Sequence, residues 1–296
     1  MKPTIHIPVL ANEVLEWLQP SDGQTMVDGT LGGGGHARLL AAAVGESGRV
    51  VGVDRDPEAI ARAEVALQGL PLMIANASYC DVPEVLAESG FDAVQGLLLD
   101  LGLSSDQLID DDRGFSFDST GPLDLRFDPT RGKSAAQLIE RITPERLADI
   151  IYNYGEERFS RRIARAICDR QRERPIESAQ DLAAIVRRSV PAPKRYRNKK
   201  PIDTATRTFQ ALRIAVNEEL RQLELALSRL PDCLTPGGRI AIISFHSLED
   251  RIVKIAFRDD DRLSVLTRKP ITASDEEIAE NTRSRSAKLR IAERVA

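Results

Sequence analysis

Two rhythms of apolar and polar positions alternate along the first hundred residues. Val9, Leu10, Val14, Leu15 and Leu18 recur at helical spacing with Asn12, Glu13 and Glu16 between them, which predicts an amphipathic helix over 7–18. Pro20-Ser21-Asp22-Gly23 is turn chemistry. A short apolar run at 25–27 ends in Asp28 and opens into Gly29-Thr30-Leu31-Gly32-Gly33-Gly34-Gly35-His36. From there the patterns alternate: helix 37–44, strand 49–53 ending in Asp54, helix 57–67, strand 72–75, helix 82–88, and strand 93–99 ending in Asp100. Such alternation predicts a parallel α/β sheet, and acids at the strand ends place a ligand along that edge.

After residue 108 the rhythm changes. The stretch 110–131 carries Asp110-Asp111-Asp112, Gly114, Gly121-Pro122 and Pro129, and reads as an irregular acidic loop. Helical segments follow at 134–141, 144–153, 157–173 and 178–189 with no strand between them, then a proline-broken basic stretch at 191–202. Phe209, Leu212, Val216, Leu220, Leu223 and Leu227 predict one long amphipathic helix over 204–230. Thr235-Pro236-Gly237-Gly238 turns into an apolar strand at 239–244, and alternating runs at 263–267 and 288–291 read as an edge hairpin. The expected architecture is an α/β domain formed by 1–107 and 204–296, split by an all-helical insertion at 108–203.

Composition narrows the function. The chain has 296 residues, 42% hydrophobic and 29% charged, enough apolar material for a substantial core. No apolar run approaches the roughly 20 residues that a membrane helix needs. The start, with Pro3, Pro8 and one lysine, lacks the pattern of a signal peptide, so a cytoplasmic protein without a membrane partner is expected. Cys80, Cys168 and Cys233, like His6, His36 and His246, are too scattered for a disulfide framework or a zinc cluster, and no metal is expected. The net charge of −4 conceals 18 Lys and Arg against 9 Asp and Glu between Arg141 and Arg213. An acidic body with one basic segment is expected when one part holds a small ligand and another meets a polyanion.

Gly32, Gly34 and Ala37 meet the G-x-G-x-x-[GA] spacing of nucleotide-binding turns. Glycines let a ligand approach the backbone closely, and the helix N-terminus favours a negative group. Asp54 stands 20 residues after Gly34, where an acid accepts hydrogen bonds from ribose hydroxyls. NAD and S-adenosylmethionine both use such an acid. Asp28, placed to face the amino group of a methionine moiety, would repel a pyrophosphate and favours the methyl donor. A nucleotide-dependent oxidoreductase remains the alternative, as does a non-catalytic RNA-binding assembly protein with a relic pocket.

At this point the residues resemble one family, the bacterial RsmH (MraW) enzymes that methylate cytosine N4 in small-subunit ribosomal RNA. The resemblance is carried by His6-Ile7-Pro8-Val9-Leu10, Asp28-Gly29-Thr30 through His36, Asp54-Arg55-Asp56-Pro57 and Leu98-Leu99-Asp100-Leu101-Gly102. It continues through Arg113-Gly114-Phe115-Ser116-Phe117, Gly121-Pro122-Leu123-Asp124, Tyr154-Gly155-Glu156-Glu157-Arg158 and Ala205-Thr206-Arg207-Thr208-Phe209-Gln210. It ends with Ser244-Phe245-His246-Ser247-Leu248-Glu249-Asp250-Arg251 and Arg283-Ser284-Arg285-Ser286. The resemblance implies a class I methyltransferase fold, Rossmann-like with a mainly parallel seven-stranded sheet, interrupted by a helical substrate-recognition domain. It implies S-adenosylmethionine as cofactor, with Gly34, Gly35 and His36 in the loop contact, Asp54 on the ribose, Tyr79 on the adenine, and Asp100 and Gln107 completing the site. It implies 16S ribosomal RNA as partner, within the small ribosomal subunit, and not DNA.

The chemistry so implied needs an acceptor near the N4 hydrogens, because that nitrogen's lone pair is delocalised into the ring. Asp100 and Ser104, with Ser105 and backbone carbonyls beside them, are the candidates. The prolines and aromatic residue with which DNA amino-methylases grip a flipped base are missing from this loop, leaving Phe245 or Phe115 as stacking candidates. No cysteine has the setting of a ring-attacking nucleophile, which favours attack by the exocyclic amine. Arg158, Arg161, Arg162, Lys194, Arg195, Arg197, Lys199, Lys200 and Arg207 are candidate phosphate contacts, with Tyr196 as a stacking residue.

Overall fold

The computed structural model describes residues 7–191 and 203–295. Two compact units divide the chain, one built from residues 1–104 and 220–296, the other from 105–219.

In the first unit, α1 (Ala11–Leu18), β1 (Thr25–Asp28), α2 (Gly35–Val44), β2 (Arg49–Asp54), α3 (Pro57–Ala66), β3 (Leu72–Asn76), α4 (Val82–Glu88) and β4 (Val94–Asp100) follow in the expected alternation. The second unit holds α5 (Ser105–Ile109), α6 (Ala135–Arg141), α7 (Pro144–Gly155), α8 (Ser160–Glu173), α9 (Ala179–Ser189) and α10 (Thr206–Asn217). The chain returns through α11 (Glu219–Arg229), β5 (Leu234–Ser244), α12 (Ser247–Asp259), β6 (Leu263–Val265), α13 (Asp275–Glu280) and β7 (Lys288–Arg294). The sheet order is β3-β2-β1-β4-β5-β7-β6, parallel through β5 and antiparallel at β7 and β6. This is the seven-stranded sheet expected of a class I methyltransferase.

Alternation along the strands divides the core. Val27, Leu97, Leu99, Ile240 and Ile242 face α4, α11 and α12. Met26, Leu98, Ala241 and Ile243 face α1, α2 and α3. Burial on both faces is why the central strands read as continuous apolar runs. Local signals place the helix starts: Pro57 opens α3 behind Asp56, whose side chain accepts from the Glu58 amide at 3.1 Å. The expected first helix is shorter than its pattern, because Leu10 takes a left-handed conformation with φ 53° just before α1. The expected hairpin is two strands separated by α13, with β7 inserted between β5 and β6. Among the described residues no helix is long and apolar enough to cross a membrane.

In the second unit, Phe115 stacks on Phe127 with ring centres 5.7 Å apart, and Phe117 meets Phe209 edge-on at 4.9 Å. The acidic loop is therefore folded onto a core. Buried Arg113 donates to the carbonyls of Phe127 at 2.6 Å and Arg126 at 3.1 Å. The single helix expected over 204–230 is broken at Glu218, which adopts φ 51° and ends α10. No glycine or proline marks the break. Asn217 beside it is taken up by the loop: its carboxamide accepts from the Phe127 amide at 2.8 Å and donates to the Leu125 carbonyl at 2.7 Å. The break also moves α10 from the α/β domain, where the sequence places it, into the helical unit.

Candidate functional site

The site grows from the C-terminal edge of three neighbouring strands. β1 pairs with β2 on one side and β4 on the other, which brings Asp28, Asp54 and Asp100 to one edge. Between β1 and α2 the backbone must turn sharply. Gly32 and Gly34 take φ of 49° and 76°, and a side chain on Gly34 would lie 2.6 Å from Leu67 Cδ1. The left-handed backbone favours glycine at both positions, and at Gly34 the contact with Leu67 adds to that preference.

The turn points amides at the acids. The Thr30 amide donates to Asp28 Oδ1 at 3.2 Å, and the Gly32 amide to Asp54 Oδ2 at 2.8 Å. The Asp56 amide donates to Asp54 Oδ1 at 2.9 Å. A carboxylate has about four acceptor positions, so Asp54 keeps capacity for ribose hydroxyls after both bonds. Burial raises its carboxyl above the ordinary value, against the two amide bonds.

Asp28 is 1% exposed, and its Oδ2 has no hydrogen-bond partner. Burial, then the charges of Asp100 and Asp54, push its carboxyl up to about 7 against the Thr30 amide bond. Asp100 is raised to about 6 by burial, with Arg283 opposing and Glu249 adding to the shift. The Asp100 amide donates to Thr30 Oγ1 at 2.6 Å, tying the end of β4 to the glycine turn. His36, buried in the first turn of α2, has Nε2 3.8 Å from Asp100 Oδ2. A pyrophosphate would be repelled by such an edge. Such an acidic edge suits a cationic ligand, and Asp28 is its most buried acid.

The remaining candidates are placed as follows. Tyr79 is half-buried just after β3, with its Cβ 3.3 Å from where a Gly29 side chain would begin, so it backs the glycine turn. Ser104 has its Cβ 3.9 Å from the corresponding point on Gly32. Gly34, Gly35, His36, Asp54, Tyr79, Asp100 and Ser104 thus belong to one unit, while Gln107 is buried on α5 of the other. Phe245 lies against the loop after β4, its ring 2.8 Å from the Cβ position of Gly102. Phe115, the other stacking candidate, is 6% exposed against Phe127 and belongs to the core.

Three residues not singled out as site residues from the sequence join this edge. Thr30 holds the Asp100 amide, Arg283 donates to the Leu103 carbonyl and its charge opposes the rise of the Asp100 carboxyl, and Glu249 adds a further buried acid. Glu249 is fixed by the start of α12: its Oε2 accepts from the Phe245 amide at 2.9 Å, and His246 Nδ1 accepts from the Glu249 amide at 3.3 Å. Arg283 lies within a resembling motif, yet nothing in its neighbourhood signals a role 180 residues away.

The candidate phosphate contacts differ in availability. Arg158 is exposed, stacked on the ring of Phe159 at 4.6 Å. Arg207 is held by Glu157 at 3.7 Å and by the Glu156 carbonyl at 3.3 Å. Lys194, Arg195, Tyr196, Arg197, Lys199 and Lys200 lie outside the described residues, as does His6.

A relative named ribosomal RNA small subunit methyltransferase H from Rhodopirellula baltica is 49% identical over 99% of this chain and 92% of its own length. Proteins of the same name from Synechococcus elongatus and Deinococcus deserti are 50% and 51% identical, each over 98% of this chain and at least 94% of their own. The model of the MraW methylase family matches residues 3–295, and the chain belongs to that family.

Proposed function

We propose that the chain transfers a methyl group from S-adenosylmethionine to the exocyclic N4 of one cytidine in 16S ribosomal RNA, acting in the cytoplasm on the small ribosomal subunit. The observation that carries this reading is the buried carboxylate of Asp28, its Oδ2 without a hydrogen-bond partner, at an edge it shares with Asp54 and Asp100. Curated relatives named for methylation of small-subunit ribosomal RNA supply the substrate class, and the resemblance of the motifs supplies the cytosine and the 16S position.

The bound donor supplies an electrophilic methyl group on a sulfonium. Asp54 holds its ribose hydroxyls, Tyr79 its adenine face, and Asp28 its ammonium group, while the turn at Gly34, Gly35 and His36 closes over it. Asp100 completes the donor contacts within this unit, and Gln107 is proposed for the same role from the resemblance alone. The chain's further task is to align the acceptor amine and exclude water.

The loop after β4 is the place for that. Asp100 and Ser104 offer acceptors for the N4 hydrogens, which localises the amine's lone pair and receives its proton. Phe245, packed on Gly102, offers an aromatic face to the cytosine ring. Arg283 anchors the same loop through the Leu103 carbonyl. Phosphates are met by cations of the helical unit, among which Arg158 is exposed and Arg207 is tied to Glu157; Arg195, Lys199 and Lys200 are proposed for the same role.

The test is incubation with labelled S-adenosylmethionine and small subunits lacking the modification, followed by nucleoside analysis. N4-methylcytidine at one site is the expected product, lost in Asp100→Ala. Label on another nucleoside overturns the N4 assignment, and no label on RNA overturns the substrate class.

A further inference from the structure

The arginines of the helical unit fall into three sets. Some pair with a carboxylate where they stand, among them Arg126 with Asp124 at 2.6 Å, Arg187 with Asp203 at 2.6 Å, Arg213 with Glu219 at 2.8 Å and Arg172 with Asp169 at 3.1 Å; others, such as Arg141, Arg146 and Arg188, are exposed but scattered over different helices. The stretch leading into and through the first turns of α8 is different. Arg158, Arg161, Arg162 and Arg165 are all exposed, and among the described residues none has a carboxylate partner. No acidic residue occurs between Arg158 and Cys168.

Helix geometry puts these charges on one face. Ser160, Ile163, Ala164, Ile167 and Cys168 turn inward, so Arg161, Arg162 and Arg165 are left together on the outward side. Arg161 and Arg165 are one turn apart, about 6 Å along the axis. The face carries guanidinium groups without an exposed aromatic or aliphatic anchor, and a protein interface needs such an anchor at its centre. A regularly repeated phosphate needs only the guanidiniums.

We propose that the outward face of α8, with Arg161 and Arg165 as its ridge and Arg158 and Arg162 beside it, is the docking surface for the RNA backbone. The proposal rests on the RNA-substrate reading above and adds to it the surface that binds. Because the face has no asparagine or glutamine to read base edges, it supplies affinity and orientation and leaves base choice to the transfer site. Arg207, already held by Glu157, is secondary to this ridge.

The experiment measures binding of a fluorescently labelled RNA stem-loop to the full chain by anisotropy across a salt series. Arg161→Glu with Arg165→Glu is expected to weaken binding about tenfold or more and to lower the salt slope by about 1.5 to 2, with donor binding unchanged. Arg161→Gln with Arg165→Gln should lower the slope by the same count with a smaller loss. Lys254→Glu, an exposed cation on α12, should leave the slope alone. An unchanged slope in both pair variants overturns the proposal, and so does an equal loss in Lys254→Glu, which would make the effect one of net charge. Methyl transfer is read in parallel. RNA binding that depends on the ridge without transfer sinks the reaction and leaves the ridge; transfer with an unaltered slope sinks the ridge alone.

Discussion

Asp28 and Asp100 end neighbouring parallel strands, and Thr30, two residues beyond Asp28, accepts the Asp100 amide on its hydroxyl at 2.6 Å. Each of these two acids has one buried carboxylate oxygen without a hydrogen-bond partner. The glycine turn and the loop after β4 are therefore one assembly, and burial raises both of its acids above the ordinary carboxylate range.

The burial of Asp28 sets a pH dependence. Asp28 is raised from 3.8 to about 7, so between pH 4 and 7 the folded chain retains a proton that the unfolded chain has released. Unfolding free energy therefore falls as pH rises through this window, by on the order of 4 kcal/mol from one end to the other. Asp28→Asn should flatten the fall, raise the melting temperature at pH 8, and weaken S-adenosylmethionine binding about tenfold or more. Calorimetry of donor binding in buffers of different ionisation enthalpy should show proton release near pH 6.5 in the unsubstituted chain and less in the variant. A melting temperature independent of pH in both would refute this assignment.

Thr30→Val keeps the shape of the side chain and removes the acceptor for the Asp100 amide. Leaving that amide unpaired should cost about 1–3 kcal/mol. Thr30→Ser should recover most of it. Thermal unfolding of the three proteins separates the hydroxyl's contribution from the packing of its methyl.

Gly102→Ala tests the loop against Phe245. The new methyl would stand 2.8 Å from the ring, and Phe245 must move. Methyl transfer should fall about tenfold, the order expected for a misplaced acceptor contact, with donor affinity within a factor of two. Equal loss of donor affinity would mean that the loop acts through the donor pocket and not through the acceptor.

Asn217→Ala should loosen the helical unit. The side chain binds the Phe127 amide and the carbonyls of Leu125 and Arg213, and its removal leaves buried backbone groups unpaired. A loss of about 2–5 kcal/mol is expected, with proteolysis first at the loop around Leu125. Hydrogen exchange of the Phe127 amide gives a direct readout.

The half of the sheet before residue 100 is legible in the sequence because its strands, and its helices after α1, agree with their own local patterns. Asp28, Asp54 and Asp100 are visible for the same reason, as acids where apolar runs stop. The break at Glu218 is not, since the long stripe from Phe209 to Leu227 is continuous in sequence. What ends α10 is the demand of a loop 90 residues earlier for the Asn217 carboxamide. Phe115 reads as a loop residue because glycines and acids surround it, although its ring stacks on Phe127. No familiar start signal announces α12, which begins on His246, an uncommon cap. Arg283 reaches Leu103 only through the closed sheet, which no local pattern encodes.

The division of the sheet by the helical unit bears on how a nascent chain acquires it. Val94 of β4 pairs with Leu234 of β5, 140 residues later. At about 5–20 residues per second, synthesis of that interval takes roughly 7–30 s. Throughout it, the apolar β4 presents a bare hydrogen-bonding edge on the half-made sheet, an invitation to intermolecular pairing. The helical unit is complete before β5 appears, so it can fold while the sheet waits. Chaperone dependence of this protein should accordingly track the length of that wait, and slowing elongation downstream of residue 219 should raise the aggregated fraction.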